Sequence, residues 1–199
     1  MGLKIAYENG QTPLSEEEME GLKVPTITTR KELDEFEQQN IEKALEWYLY
    51  RRKFKVDKIL SQDFINQVHV KMFGDVWNWA GKTRRSEKNI GVPWMQIPVE
   101  LRKLLDDCKF WIENKTYSDE EISIRFKHRI VAIHIFPNGN GRHSRLMGDI
   151  MMKHAFNKSI FTWGQRNLVN KSEVRDNYIK SLKKADNGDF TDLITFAQS

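Results

Sequence analysis

The chain has 199 residues, 39% of them hydrophobic, with eleven Phe and six Trp, which is enough apolar mass for one packed domain with an arm. Its formal net charge is +4, its one cysteine (Cys108) has no second thiol to pair with, and no apolar run approaches the length of a bilayer span. These features exclude a disulfide scaffold and a helical membrane protein. With a start, MGLKIAYENG, that lacks the apolar core of a signal peptide, they point to a cytoplasmic protein.

Residues 1–27 contain Pro13 and Pro25 and few long periodic stretches, so they read as an arm carrying one short helix near Ser15 to Gly21; residues 28–199 form the body. A capping box at Thr29 to Glu32 opens a helix along which Leu33, Phe36, Ala44 and Tyr48 recur at helical spacing. It runs into a basic stretch, Arg51-Arg52-Lys53 with Lys55 and Lys58, which reads as a solvated helix terminus. Without a basic strand interleaved with aromatics or a zinc pattern, nucleic acid is not the expected partner. A second helix starts at Ser61 with Phe64, Val68 and Met72 on its inner face. The stretch from Gly74 to Thr83 imitates a phosphate-binding P-loop, but six residues separate its glycines where four are needed and no apolar strand precedes it.

Between Gly81 and Pro98 the periodicity changes, and Asn89-Ile-Gly-Val-Pro93 predicts an exposed hairpin. Helices resume at Val99 to Asn114, with Leu101, Leu104, Leu105, Cys108 and Trp111 as a stripe, and again after a capping box at Ser118 to Glu121, through Ile122, Phe126, Ile130 and Ile133. One more helix continues through Leu146, Ile150 and Met151, and a last one begins near Asn170 with Val174, Tyr178 and Leu182. The fold class predicted is all-α with a small β-hairpin.

Two of these helices meet at HIFPNGNGRHSR, His134 to Arg145. His134 titrates near neutrality and is a candidate general base. Pro137-Asn138-Gly139-Asn140-Gly141 ends one helix and opens the next, where unsatisfied amides and the positive end of the helix dipole favour phosphate. Arg142 and Arg145, three residues apart, lie on one helix face and grip phosphate oxygens as forks. The histidines at 128, 134 and 143 have no zinc spacing, so zinc chemistry is not expected.

This segment resembles the signature HxFx[D/E]GNGRxxR of the Fic (Fic/Doc) domain family, matched at His134, Phe136, Gly139, Asn140, Gly141, Arg142 and Arg145, with Asn138 departing from the acidic residue. NIGVPWMQIP and YIKSLKKADNGDF are similar to the subfamily called mobile mystery protein B. The resemblance implies a nucleotidyltransferase, a protein adenylyltransferase that moves AMP from ATP to a Tyr, Ser or Thr hydroxyl of a target protein. His134 would be its base, Gly139, Asn140 and Gly141 its anion hole, and Arg142 and Arg145 its phosphate holders. Asn138 would be a neutral ligand to Mg²⁺. Ile90, Gly91 and Val92 would form a flap that docks an extended target segment. Many Fic proteins carry an inhibitory glutamate; here Glu20, one position out of register, is the candidate to pair with Arg145. Alternatives are transfer of another phosphate-containing group, as in a Doc-like kinase, or a toxin-like nucleotide-binding partner of an antitoxin, without turnover.

Overall fold

A computed structural model describes residues 12–164 and 171–199. Among them the secondary structure is helical: α1 (Glu16–Met19), α2 (Arg30–Glu46, closing in a π-helical turn Trp47–Arg51), α3 (Val56–Ile59), α4 (Gln62–Phe73), α5 (Ile97–Asn114), α6 (Asp119–Ile133), α7 (Asn140–Ile150, continued by a π-helical turn Met151–Ala155), α8 (Lys171–Asp186) and α9 (Thr191–Gln198). The all-α reading holds. The one β contact among the described residues is an isolated bridge from Leu22 to Trp77. Among the described residues no helix is long and apolar enough to cross a membrane.

Local chemistry sets the helix starts. Thr29 accepts a hydrogen bond from the Glu32 amide, and the Glu32 carboxylate accepts from the Thr29 amide at 2.9 Å, so the expected capping box closes. Ser15 and Glu18 make a second one at α1. At Ser118 only half forms: its hydroxyl caps the Glu121 amide, but the Glu121 carboxylate turns to Arg125, four residues on. Helix α4 buries Phe64, Val68 and Met72 as expected. In α2 the inner face is Leu33, Glu37, Asn40, Ile41 and Ala44; Phe36, expected inside, is 43% exposed because it sits one position off that face.

One core joins α2, α4, α5, α6 and α7 around Phe64, Phe73, Phe126, Phe136 and Met147. A second, smaller cluster, with Phe161, Trp163, Phe190 and Leu193, seats α9 against α6; α9 was not anticipated from the sequence. Residues 12–27 lie on the body: Leu14, Met19, Leu22 and Val24 pack on the main core and Ile27 is buried in it.

The hairpin expected between Gly81 and Pro98 does not form a ladder among the described residues. A buried arginine takes its place. The Arg84 guanidinium donates to the carbonyls of Ser86 (2.8 Å), Val92 and His134 (2.6 Å), while its amide donates to Ile135 at 2.9 Å. One side chain thus satisfies the carbonyls that a partner strand would otherwise meet.

Candidate functional site

Helix α6 ends because His134 adopts a left-handed backbone, φ 58° and ψ 62°. Such a conformation costs a β-carbon-bearing residue about 1–2 kcal/mol, and surrounding bonds must hold it. Here Arg84 holds the His134 carbonyl, and the Val92 amide donates to Ile133 at 3.4 Å. Gly91, at φ 100°, lies so close that a β-carbon there would sit 2.5 Å from that of His134. Of the three predicted flap residues, then, Ile90 is exposed and lines the cavity, while Gly91 and Val92 hold the base in place.

The His134 ring is 3% exposed and lines a cavity of about 610 Å³ together with Asn138, Gly139, Asn140, Gly141, Arg142 and Arg145. Its Nε2 lies 3.3 Å from the Thr12 hydroxyl, and its Nδ1 has no hydrogen-bond partner among the described residues. Burial, helped by the nearby Arg84 and Lys88 cations, pushes its pKa down to about 4. The imidazole is therefore neutral at pH 7, with one ring nitrogen able to take a proton.

The phosphate-like cradle follows at once. Gly139, at φ 78°, is the N-cap of α7, and the amides that open this helix have no acceptor within it. A β-carbon on Gly139 would strike the Phe73 ring at 2.7 Å, whereas one on Gly141, which lines the cavity, would meet nothing within 4 Å. The Asn140 side chain does not face a ligand: it donates to the Phe136 carbonyl (2.7 Å) and accepts from the Phe136 amide (2.9 Å), stapling the loop shut. Its part in the cradle is played by backbone. Phe136 is fully buried, and stacks on His69 at 3.8 Å.

His69 is the brace beneath the loop. Its Nδ1 accepts from the Gly81 amide at 2.9 Å, so Nε2 bears the proton and donates to the Asn138 carbonyl at 3.1 Å. Burial, with His143 and Arg142 nearby, lowers its pKa well below the usual value. Arg142 lies 4.9 Å over the Phe73 ring and donates to Glu37 of α2 at 2.5 Å; Glu37 is 5% exposed and also accepts from the Trp77 indole at 2.6 Å. Arg145 reaches the same cavity from the next turn, with its guanidinium 5.5 Å from the Tyr178 ring centroid.

Asn138 is held twice. Its Oδ1 accepts from the Gly139 amide at 2.6 Å and its Nδ2 donates to the Thr12 carbonyl at 2.9 Å. The oxygen expected to serve a cation is thus engaged by backbone, and no group of three or more His, Cys, Asp or Glu side chains could hold a metal among the described residues. The residues present do not fit a carboxylate-held Mg²⁺.

Glu20 does not meet Arg145 in this structure. It is exposed at the end of α1, on the wall of a second cavity with Lys82 and Arg85. The acidic arm residue that engages the body is Glu18. It pairs with Lys88 at 2.5 Å and accepts from Ser86 at 3.0 Å. Its burial works against ionisation, but those bonds and that of the Ser15 amide prevail and hold its pKa below the ordinary value.

Sequence reasoning missed Thr12, Glu37, His69, Arg84 and Lys88. Only His69 and Glu37 left a signal, as polar residues on the apolar faces of α4 and α2.

Residues 59–152 match the family model described as the Fic/DOC family. A protein adenylyltransferase Fic from Aedes aegypti is 25% identical over 146 residues, 71% of this chain and 28% of that relative. Among solved structures, a fragment of Fic-1 from C. elegans superposes with a TM-score of 0.62 at 22% identity, covering 90% of this chain and 50% of the other. The BepC effector from Bartonella tribocorum, crystallised with AMPPNP, does so with a TM-score of 0.67 at 15% identity, covering 92% and 97%. The chain spans about a quarter of the Aedes relative and half of the Fic-1 fragment.

Proposed function

We propose that the chain, whose residues 59–152 match the Fic/DOC family model, is a protein adenylyltransferase, moving AMP from ATP to a hydroxyl side chain of a protein. One observation carries this reading: a neutral imidazole lies within hydrogen-bond reach of a hydroxyl, at the edge of a cavity floored by a fresh helix N-terminus and two arginines. The triphosphate would lie over the amides of Asn140 to Arg142, with Arg142 and Arg145 as forks on its oxygens. The hydroxyl attacks the α-phosphorus, its proton passes to His134, the bond to the β-phosphate breaks and pyrophosphate leaves. The loop supplies positioning and charge; no covalent intermediate is needed.

His134 suits that task because its burial keeps it unprotonated, and Glu37 suits Arg142 because it fixes one edge of the guanidinium before a phosphate arrives. Any divalent ion that accompanies ATP would be held by phosphate and water.

The test is isotopic. With ATP labelled at the α-phosphate, wild type is expected to label protein in a lysate or itself, and His134→Ala to reduce the rate by about 10²–10⁴-fold. Label moving from the γ-phosphate instead would mark a kinase, and nucleotide binding with neither transfer would mark a binding protein; either result overturns the proposal.

A further inference from the structure

We propose that Thr12 is an internal acceptor: the arm seats its hydroxyl on His134 in the place of a target's, so the chain modifies itself there and shields the base from other proteins. The inference rests on the adenylyl-transfer reading above and goes further in naming an acceptor atom.

The placement is specific. Thr12 is 8% exposed, its Oγ1 lies 3.3 Å from His134 Nε2, and it lines the same cavity as Gly139, Gly141 and Arg145. Its carbonyl accepts from Asn138 Nδ2 at 2.9 Å, so backbone and side chain of one residue are both fixed against the signature loop. Lys88, in the flap, donates to the Pro13 carbonyl at 3.1 Å and pairs with Glu18. The Trp79 indole donates to the Glu18 carbonyl at 2.9 Å, and the Asn78 amide to that of Gly21 at the same distance. The described part of the arm is therefore fixed to residues 78–88, which lead into the flap, and its first residue, Thr12, sets a hydroxyl on the base.

Asn138 gains a reason in the same picture. An acidic side chain at that position could not donate to the Thr12 carbonyl; the amide can. The departure from the family signature thus coincides with the contact that aims Thr12.

The step balances. Thr12 Oγ forms a bond to the α-phosphorus of ATP, the bond from that phosphorus to the bridging oxygen breaks, pyrophosphate leaves, and the hydroxyl proton goes to His134 Nε2 and then to solvent. A tethered hydroxyl competes with free targets at an effective concentration on the order of millimolar, so most untethered proteins lose while the arm is seated.

Mass spectrometry of wild type incubated with ATP and Mg²⁺ is expected to find one AMP on the peptide containing Thr12. Thr12→Ala should lose that label while labelling of lysate proteins rises severalfold; Thr12→Ser should restore it. Lys88→Met, which frees Pro13 and Glu18, should slow Thr12 labelling and speed that of lysate proteins. Mixed with wild type, a size-tagged His134→Ala chain should stay unlabelled at its own Thr12, because transfer is within one chain. Lysate proteins or other residues labelled with Thr12 bare, or the tagged chain labelled as fast as wild type, would overturn the internal acceptor and leave adenylyl transfer standing. No α-label on any protein would overturn both.

Discussion

The signature loop and the arm meet at His134 and Asn138, and they are held in opposite ways. The loop is braced from below by buried, neutral groups: Phe136 in the core, Asn140 stapled to the Phe136 backbone, His69 bridging Gly81 and Asn138. The arm is held from the side by polar contacts, Thr12 on Asn138 and His134, Pro13 and Glu18 on Lys88. Buried neutral bonds break only when the core opens; the arm's polar contacts are worth about 1 kcal/mol each and add to the packing of Leu14, Met19, Leu22 and Val24 on the core. The loop is therefore fixed from within the core, and the arm by side chains that reach it from one face.

The sharpest break of that contrast lies within the loop. Gly139→Ala places a β-carbon against Phe73 and forces a left-handed residue, so a loss of about 2–4 kcal/mol in unfolding free energy is expected. Gly141→Ala has room, at a residue that lines the cavity. Its Tm should stay near wild type while ATP binding, read by calorimetry, weakens by at least about tenfold. Equal Tm losses in both variants would mean that Gly141 supports the fold rather than leaving space for phosphate.

Acid separates the two regions more gently. His134 and His143 have pKa values near 4, chiefly from burial, and His69 lies well below its usual value. Since the unfolded chain titrates its histidines near 6.5, it binds more protons than the folded one between about pH 6.5 and 4. Stability is full above that window and is lost as the pH falls through it, by about 1–2 kcal/mol per ring at pH 5. The Glu18 latch, whose carboxyl is held below its ordinary 4.5, keeps its charge through most of the window. Urea midpoints should therefore drop from pH 7.5 to pH 5 while amide exchange around Leu14 to Gly21 stays slow relative to global opening. A flat midpoint would show that the buried rings are not neutral.

Most of the fold was legible because it is written in periodicity and caps: Thr29, Ser61 and Ser118 each cap a helix where expected. The signature residues were legible because they are contiguous. What stayed hidden is what depends on side chains meeting across the chain. Arg84 stands among other charges with no pattern of its own, yet it replaces a strand's partner for the flap. Phe36 looked like core, but a residue one step off the inner face of α2 reaches solvent. Glu20 matched an inhibitory pattern imperfectly, and the pattern gave no way to see that Glu18, two residues earlier, has the buried lysine. Thr12 carried no signal at all, since its role comes from 122 residues of separation closing to one hydrogen bond.

The smallest expected effect is also the most discriminating. Asn138→Asp keeps the oxygen that accepts from Gly139 but removes the amide that donates to Thr12, and it sets a carboxylate against the Thr12 carbonyl. The loop should survive with little change in Tm, while the arm loses about 1 kcal/mol of docking. That loss should appear as faster amide exchange and faster proteolysis around Thr12 to Leu14. The same variant offers a divalent ion a charged oxygen that asparagine lacks, so transfer rates measured across a Mg²⁺ titration separate two roles. A shift to lower Mg²⁺ with the arm still protected would make position 138 a metal site first. Loosening with an unchanged Mg²⁺ dependence would leave it as the hook on which the arm hangs.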